Sequence, residues 1–134
     1  MDSEAFHGKK LMKILVADDQ ETVLAFFKAA FQSLNLGVEL CDSGPDCLDR
    51  LRQEAFDVLF LDLIMLDMDG VEVLKIVTRE FPDLQVVISS VQDDEAAIRE
   101  LMLLGASAYL IKPFTAKQLG DVVRRLENKK SVTR

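Results

Sequence analysis

The stretch Val58-Leu-Phe-Leu-Asp62 is the clearest signal of fold in the sequence. Its four consecutive apolar residues are typical of a strand that is covered on both faces, as strands of parallel sheets are. Four further short apolar runs, rich in β-branched residues, occupy residues 14–17, 38–41, 86–88 and 108–111. Each interval between runs has room for one helix and two loops. We therefore expect five parallel strands joined by helical crossovers.

Helix signals follow each of these runs. Within residues 20–34, five apolar side chains fall on one helical face: Val23, Phe27, Ala30, Phe31 and Leu34. The sequence Ser43-Gly-Pro45 is a typical helix start. Pro82 predicts the end of a third helix that begins near Gly70. The remaining signals are a cap at Asp93 or Asp94, a stop at Gly105 and a capping box at Thr115-Ala-Lys-Gln118. The sequence thus predicts a doubly wound α/β sandwich of five β–α units.

Composition indicates one soluble globular domain. The chain has 134 residues, of which 49% are hydrophobic and 29% charged. Its net charge is −7, and its few basic pairs form no stripe, so direct nucleic-acid binding is not expected. Neither a membrane segment nor an export signal is visible. We interpret residues 1–11 as a polar N-terminal leader, 12–126 as the domain and 127–134 as a polar C-terminal tail.

The cysteine content indicates a compartment. Cys41 and Cys47 are too few for a disulfide framework or a structural zinc site. Two reduced cysteines that fill space in the core are the ordinary interpretation. We therefore expect a reducing, cytoplasmic setting.

Polar residues follow four of the predicted strands. They are Asp18-Asp19 after the first, Asp62 after the third, Ser89-Ser90 after the fourth and Lys112-Pro113 after the fifth. Ligands of open parallel sheets bind beyond the carboxyl ends of the strands, so these side chains should converge. Each has an ordinary alternative role, such as a helix cap, a turn residue or a solvated lysine. Asp62 is the exception, because a charge within so apolar a run is costly unless it is paired or metal-bound.

A convergent set of this kind predicts phosphoryl chemistry. Unit charges about 4 Å apart repel by roughly 4 kcal/mol at an effective dielectric of 20, so three clustered carboxylates need a cation. An all-oxygen site suits Mg²⁺. Once the ion and Lys112 neutralise the site, a carboxylate can attack phosphorus, while Lys112 and a serine hydroxyl contact the phosphoryl oxygens. The interpretation is Mg²⁺-dependent phosphorylation of Asp62.

The sequence resembles the response-regulator receiver domains of two-component signalling, including chemotaxis receivers. The matching pieces are Ile14-Leu-Val-Ala-Asp-Asp19, Val58-Leu-Phe-Leu-Asp62, the segment from Met65 to Gly70, Ser90 and Gly105-Ala-Ser-Ala-Tyr-Leu-Ile-Lys-Pro-Phe114. They follow the family's order and spacing over about residues 12–126. The resemblance implies a flavodoxin-like sheet of order 2-1-3-4-5.

The resemblance also implies residue roles. Asp62 would be the phosphoacceptor, and Lys112 would contact a phosphoryl oxygen. The peptide bond between Lys112 and Pro113 would be cis. Ser90 and Tyr109 would form the conformational switch, with Ser89 as the alternative hydroxyl one step away. The implied Mg²⁺ ligands are Asp18, Asp19, Asp62 and the backbone carbonyl of Ile64.

The implied partners are those of a phosphorelay. A histidine kinase or histidine phosphotransfer protein would donate the phosphoryl group, and an output protein or domain would respond in trans. Phosphorylation-dependent homodimerisation is a further expectation. The chain would then be a signalling phosphoacceptor that assists its own phosphorylation and dephosphorylation, and not an enzyme in the ordinary sense.

Three positions depart from the family pattern. Leu66 stands where many receivers have proline, which predicts a less rigid loop after Asp62. Ile64 is bulkier and more apolar than the residues common there, and Val91 replaces a small residue. Because both could hinder an attacking water, we hypothesise a long-lived acyl phosphate.

Two alternative functions remain open at this stage. The segment from Ile64 to Val71 resembles the opening motif of haloacid-dehalogenase-type phosphatases, in which Asp67 would be the nucleophile and Asp69 the acid. Such enzymes need further carboxylates downstream and are generally longer. A receiver-like module that binds partners without phosphorylation is the other alternative.

Overall fold

The five expected strands form one parallel sheet in the computed structural model, which describes the backbone of residues 12–132 and the side chains of residues 12–128. The strands are β1 Ile14–Ala17, β2 Val38–Cys41, β3 Val58–Asp62, β4 Gln85–Ser90 and β5 Ala108–Ile111. Their order is β2-β1-β3-β4-β5, with every neighbouring pair parallel. The flavodoxin-like order 2-1-3-4-5 is therefore confirmed.

Five helices cover the sheet, and a short antiparallel hairpin follows β3. The helices are α1 Glu21–Ser33, α2 Gly44–Gln53, α3 Gly70–Glu80, α4 Glu95–Leu103 and α5 Ala116–Val132. The hairpin pairs Ile64–Met65 with Met68–Asp69. No helix within the described residues has the length and apolar character needed to cross a membrane.

Two apolar layers hold the helices on the sheet. On one face, α1 and α5 pack around Phe27, Phe31 and Phe60, whose ring centroids lie 5.4 to 6.0 Å apart. On the other face, side chains of α2, α3 and α4 such as Leu74 and Leu101 pack against Leu59, Leu61 and Ile88 of the sheet. Alternate residues of each strand thus pack into opposite cores. Because both faces of the sheet are covered, the strands have nearly continuous apolar sequences.

Helix caps occur at the predicted places. The Ser43 hydroxyl accepts a hydrogen bond from the Asp46 N–H at 3.1 Å, and the Asp94 carboxylate accepts one from the Ala97 N–H at 2.9 Å. Thr115 and Gln118 bond reciprocally, which is the capping box expected before α5. Of the two candidate caps of α4, the structure uses Asp94.

The end of the domain differs from the prediction. The sequence predicts that the domain ends at residue 126, but α5 continues to Val132 and Glu127 is buried. Residues 127–132 contain neither glycine nor proline, so nothing in them stops a helix that packing has already started. The predicted polar tail therefore begins within α5. The predicted leader 1–11 and residues 133–134 lie outside the described residues.

Gly70 provides a test of how α3 is placed. A Cβ at this position would lie 2.5 Å from the backbone oxygen of Asp62 and from the Cα of Leu63, so the helix start could not keep its position. We expect Gly70→Ala to lower the free energy of unfolding by about 2–4 kcal/mol in urea denaturation. Gly37→Ala is the control, since a Cβ there meets nothing within 4 Å. Equal stability of the two variants would contradict the close approach.

Candidate functional site

Three carboxylates and one amine meet at the carboxyl edge of the sheet. Asp18 and Asp19 directly follow β1, Asp62 ends β3, and Lys112 directly follows β5. One oxygen from each of the three aspartates lies within 4.8 Å of the others. The Lys112 Nζ lies 2.9 Å from Asp18 Oδ2 and 3.5 Å from Asp62 Oδ1. The predicted convergence of these four residues is therefore present in the structure.

Strand register brings Asp18 and Asp62 to the same face. Val16 and Phe60 are partners in the β1–β3 pairing, and both belong to the core beneath α1 and α5. Because side chains alternate along a strand, the residues two positions further on point to the same side. The aspartates thus continue two adjacent apolar rows into the polar edge, and the core below them sets their spacing.

The charge balance of the site is unfavourable for Asp62. Burial raises the pKa of its carboxyl above the ordinary value, and the nearby Asp18 carboxylate raises it further. The Lys112 ammonium and the Ile64 N–H act in the opposite direction without cancelling the rise. Ionisation of Asp62 therefore has a cost to folding, which a bound cation would offset.

Backbone amides hold each of the three carboxylates. Asp18 Oδ1 accepts from the Gln20 N–H at 2.9 Å, and Asp62 Oδ1 accepts from the Ile64 N–H at 3.4 Å. Asp19 Oδ2 accepts from the Leu66 N–H at 2.9 Å. Carboxylate oxygens held in this way suit a hard divalent cation such as Mg²⁺, which prefers oxygen ligands. The donor set present in the chain therefore fits the ion that the sequence predicts.

The structure separates the two adjacent serines. Ser90 lines the cleft at the site, and its hydroxyl accepts from the Gln92 N–H at 3.1 Å. Ser89 is 1% exposed, pairs with Asp62 in the β3–β4 register, and its Oγ has no hydrogen-bond partner among the described residues. Of the two candidates, Ser90 is the one whose side chain reaches the cleft.

Tyr109 is tied to the loop that follows β4. The side chain is half-buried on β5, and its hydroxyl donates to the Gln92 carbonyl oxygen at 2.8 Å. Burial raises the pKa of the phenol above its ordinary value, and a hydrogen bond with Ser90 partly opposes this rise. The two predicted switch residues are therefore linked through the backbone of Gln92.

A cleft of about 300 Å³ opens above these groups. Its lining residues are Asp19, Gln20, Asp62, Ile64, Ser90, Val91 and Lys112. Ile64 and Val91 are 72% and 68% exposed and form an apolar rim beside Asp62. The Lys112–Pro113 peptide bond is cis, which is the isomer that the family resemblance implies. The cleft is large enough for a phosphoryl group and open to a partner.

The carboxylates of the alternative phosphatase motif lie elsewhere. Asp67 Oδ1 accepts from the Gly44 N–H at the start of α2 at 3.4 Å, and Asp69 Oδ1 accepts from the Val71 N–H at the start of α3 at 2.9 Å. Neither belongs to the acidic cluster, which consists of Asp18, Asp19 and Asp62. Both therefore have capping roles, and the nucleophile and acid of a phosphatase are not assembled around them.

Two contributors to the site carry no signal in the sequence. The two contributors are the Leu66 amide and the Gln92 carbonyl, both of them backbone groups. Any residue except proline could supply the amide, and any residue could supply the carbonyl. A hairpin turn that returns Leu66 to the acidic pocket could not be recognised from residue types. Such contacts arise only in the folded chain.

A doubly wound parallel sheet with an acidic pocket and a lysine at its carboxyl edge defines the class of this protein, and comparison identifies the family. The family model described as "Response regulator receiver domain" matches residues 14–124. The chain belongs to this family, the receiver domains of two-component response regulators, which act in signalling.

Individual relatives agree with this assignment. The signal transduction histidine-protein kinase BarA of Escherichia coli strain K12 is 31% identical over 120 residues, covering 88% of this chain and 13% of that protein. The nisin biosynthesis regulatory protein NisR of Lactococcus lactis is 30% identical over 125 residues, covering 90% of this chain and 54% of that protein. The chain thus spans about half or less of the length of these curated relatives.

Solved structures show the same architecture. The BeF3-activated receiver domain of DrrB superposes with a TM-score of 0.80 at 28% identity, covering 89% of this chain and 99% of that one. The receiver domain of the Francisella response regulator 1452 gives a TM-score of 0.84 at 28% identity, covering 89% and 98%. Both comparisons cover nearly the whole of a receiver domain.

The raised pKa of Asp62 predicts a pH-dependent gain in stability on its neutralisation. Asp62→Asn should raise the free energy of unfolding at pH 7 without Mg²⁺ by on the order of 1 kcal/mol, or about 4 °C in melting temperature. The sign follows because the native state holds this proton more tightly than the unfolded state, so the penalty grows as pH rises from the unfolded pKa through the folded one.

Thermal melts of both proteins from pH 3 to pH 8 in a chelator would measure the difference. The gain should vanish at the acid end, where the wild-type carboxyl is protonated in both states. Asp69→Asn is the control, because that residue lies outside the acidic cluster. A wild-type protein at least as stable as Asp62→Asn at pH 7 would contradict the electrostatic cost.

Proposed function

We propose that this receiver domain accepts a phosphoryl group from a phosphohistidine donor onto Asp62, with Mg²⁺ held by Asp18, Asp19, Asp62 and the backbone carbonyl of Ile64. The observation that carries the proposal is the placement of three aspartate oxygens within 4.8 Å of one another, with the Lys112 ammonium beside them. Carboxylates this close together repel one another, and such clusters are typical of sites that bind a cation and carry out a reaction.

The chain's own groups account for the transfer. A carboxylate oxygen of Asp62 attacks phosphorus, the bond from phosphorus to the donor imidazole breaks, and the imidazole nitrogen keeps the electron pair and takes a proton. The Lys112 ammonium, 3.5 Å from Asp62 Oδ1, moves from the carboxylate to a phosphoryl oxygen. The Ser90 hydroxyl contacts a second phosphoryl oxygen. A bound Mg²⁺ supplies positive charge that offsets the carboxylates and the incoming phosphoryl group.

Phosphorylation would act on partners through Ser90 and Tyr109. The Ser90 hydroxyl exchanges its bond with the Gln92 amide for one with the phosphoryl group, which removes support from the loop that also anchors Tyr109. Release of the Tyr109 hydroxyl allows the ring to turn inward. A change in the populations of these two arrangements is how the modification would reach a binding surface.

The proposed partners follow from this chemistry. A histidine kinase or histidine phosphotransfer protein supplies the phosphoryl group, and an output protein or domain reads the switched surface in trans, with phosphorylation-dependent homodimerisation as a further outcome. Direct contact with nucleic acid is not proposed, because the net charge is −7. A cytoplasmic setting, inferred from the two cysteines, remains a prediction.

Intact-mass spectrometry tests the phosphoacceptor. Incubation with Mg²⁺ and acetyl phosphate should add one phosphoryl group to the wild-type protein and none to Asp62→Asn. Among the aspartates of residues 12–128, Asp62 alone both lines the cleft and contacts Lys112. Asp67→Asn is the matched control and should be modified like the wild type, since it caps α2. A wild-type protein that gains no mass would favour a binding module without phosphorylation, whereas loss of the modification in Asp67→Asn alone would favour the phosphatase alternative.

The apolar rim predicts slow loss of the phosphoryl group. Ile64 and Val91 line the cleft beside Asp62 and would hinder an attacking water, so the double variant Ile64→Asn, Val91→Ala should hydrolyse faster. A barrier lowered by about 1 kcal/mol corresponds to about fivefold in rate. The decay of phosphoprotein after removal of the donor, followed by mass, gives the rate. Leu103→Ala, also at an exposed apolar residue but on α4 away from the cleft, is the control. Identical decay in all three proteins would refute the idea that the rim hinders water.

A further inference from the structure

The tip of the hairpin after β3 reaches the acidic pocket. Met65 and Met68 are partners in the hairpin, which leaves Leu66 and Asp67 as its two turn residues. The Leu66 side chain is 98% exposed, yet its backbone N–H donates to Asp19 Oδ2 at 2.9 Å across 47 residues of sequence. The amide is the part of Leu66 that contacts the site.

We propose that the backbone amide of Leu66 is a positioning group for the metal site, and that it holds the Asp19 carboxylate in the orientation in which it binds Mg²⁺. The inference rests on the proposed function, because it concerns the same site. It assigns a role to a residue whose side chain has none.

Charge is the first argument for this role. Asp19 lies within 4.8 Å of two other carboxylates, measured between their oxygens, so its side chain is repelled from the pocket. Asp18 and Asp62 are both contacted by Lys112, whereas no cation contact to Asp19 is found among the described residues. A hydrogen bond from an amide to an ionised oxygen is stronger than a neutral one, and here it replaces the missing cation. Groups that orient metal ligands in this way commonly determine affinity.

The identity of the residue is the second argument. Proline is favoured at the first central position of common β-turns, where its ring fixes the backbone. Proline carries no N–H and could not make this bond. Compared with proline, leucine at position 66 makes the turn less rigid but keeps the N–H that donates to Asp19. Its side chain lies in solvent.

The turn has other supports, so the bond to Asp19 can be removed separately. Asp67 Oδ1 accepts from the Gly44 N–H at 3.4 Å, and Met68 packs so closely on Gly44 that a Cβ there would lie 2.7 Å from its side chain. The Gly70 N–H also donates to the Leu63 carbonyl oxygen at 2.8 Å, which closes the base of the hairpin. The hairpin should therefore keep its place without the Leu66 amide.

The experiment compares Leu66→Pro with Leu66→Ala. Both remove the exposed side chain, but only proline removes the N–H. Calorimetric titration of each unphosphorylated protein with MgCl₂ should give a dissociation constant within about twofold of the wild type for alanine and about 10-fold weaker for proline. Equal affinity of the two variants overturns the inference and leaves the proposed function standing. A wild-type protein that binds no Mg²⁺ overturns the metal part of the proposed function, and the inference with it.

A second measurement covers the case in which Leu66→Pro does not fold. Hydrogen exchange of the Leu66 amide, followed by NMR in a metal-free buffer, should be at least about 10-fold slower in the wild-type protein than in Asp19→Ala. The Val71 amide, which Asp69 caps, is the internal reference and should exchange alike in both proteins. Equal exchange of the Leu66 amide in the two proteins overturns the inference.

Discussion

Repulsion among three carboxylates at one edge of a parallel sheet is the constraint on which the site depends. Asp18 and Asp62 are buried there by the rows of core residues beneath them, and Asp19 is half-buried beside them. Lys112 offsets part of the charge, and three backbone amides from two loops hold the carboxylate oxygens. Stability and reactivity are thus in conflict at this edge, as they commonly are at functional sites.

Much of the fold could be predicted because its signals are local. The bounds of β1, β2 and β5 match the apolar runs at 14–17, 38–41 and 108–111, and the caps of α2 and α5 lie on the residues that the sequence indicates. The sheet order needed the family resemblance, because apolar runs do not specify which strands are neighbours. The end of α5 was missed because polar helix formers after residue 126 look like a tail when no packing partner is visible.

The site was predictable to the level of side chains and no further. Ligands of open parallel sheets bind beyond the carboxyl ends of the strands, so the sequence alone predicts that Asp18, Asp62 and Lys112 lie together. The choice between Ser89 and Ser90 was not predictable from residue type. Ser89 is the partner of Asp62 in the β3–β4 register, yet Ser90, the last residue of β4, is the serine that lines the cleft. The backbone donor at Leu66 was invisible for a different reason, because amides are common to nearly all residues.

The position of Tyr109 makes it a natural optical reporter. The chain contains one tyrosine and no tryptophan, so its near-ultraviolet emission arises almost entirely from this ring. The ring is half-buried and its hydroxyl is held by the Gln92 carbonyl. Emission intensity and anisotropy would therefore follow the surroundings of β5 in real time, in unlabelled protein and without an engineered fluorophore.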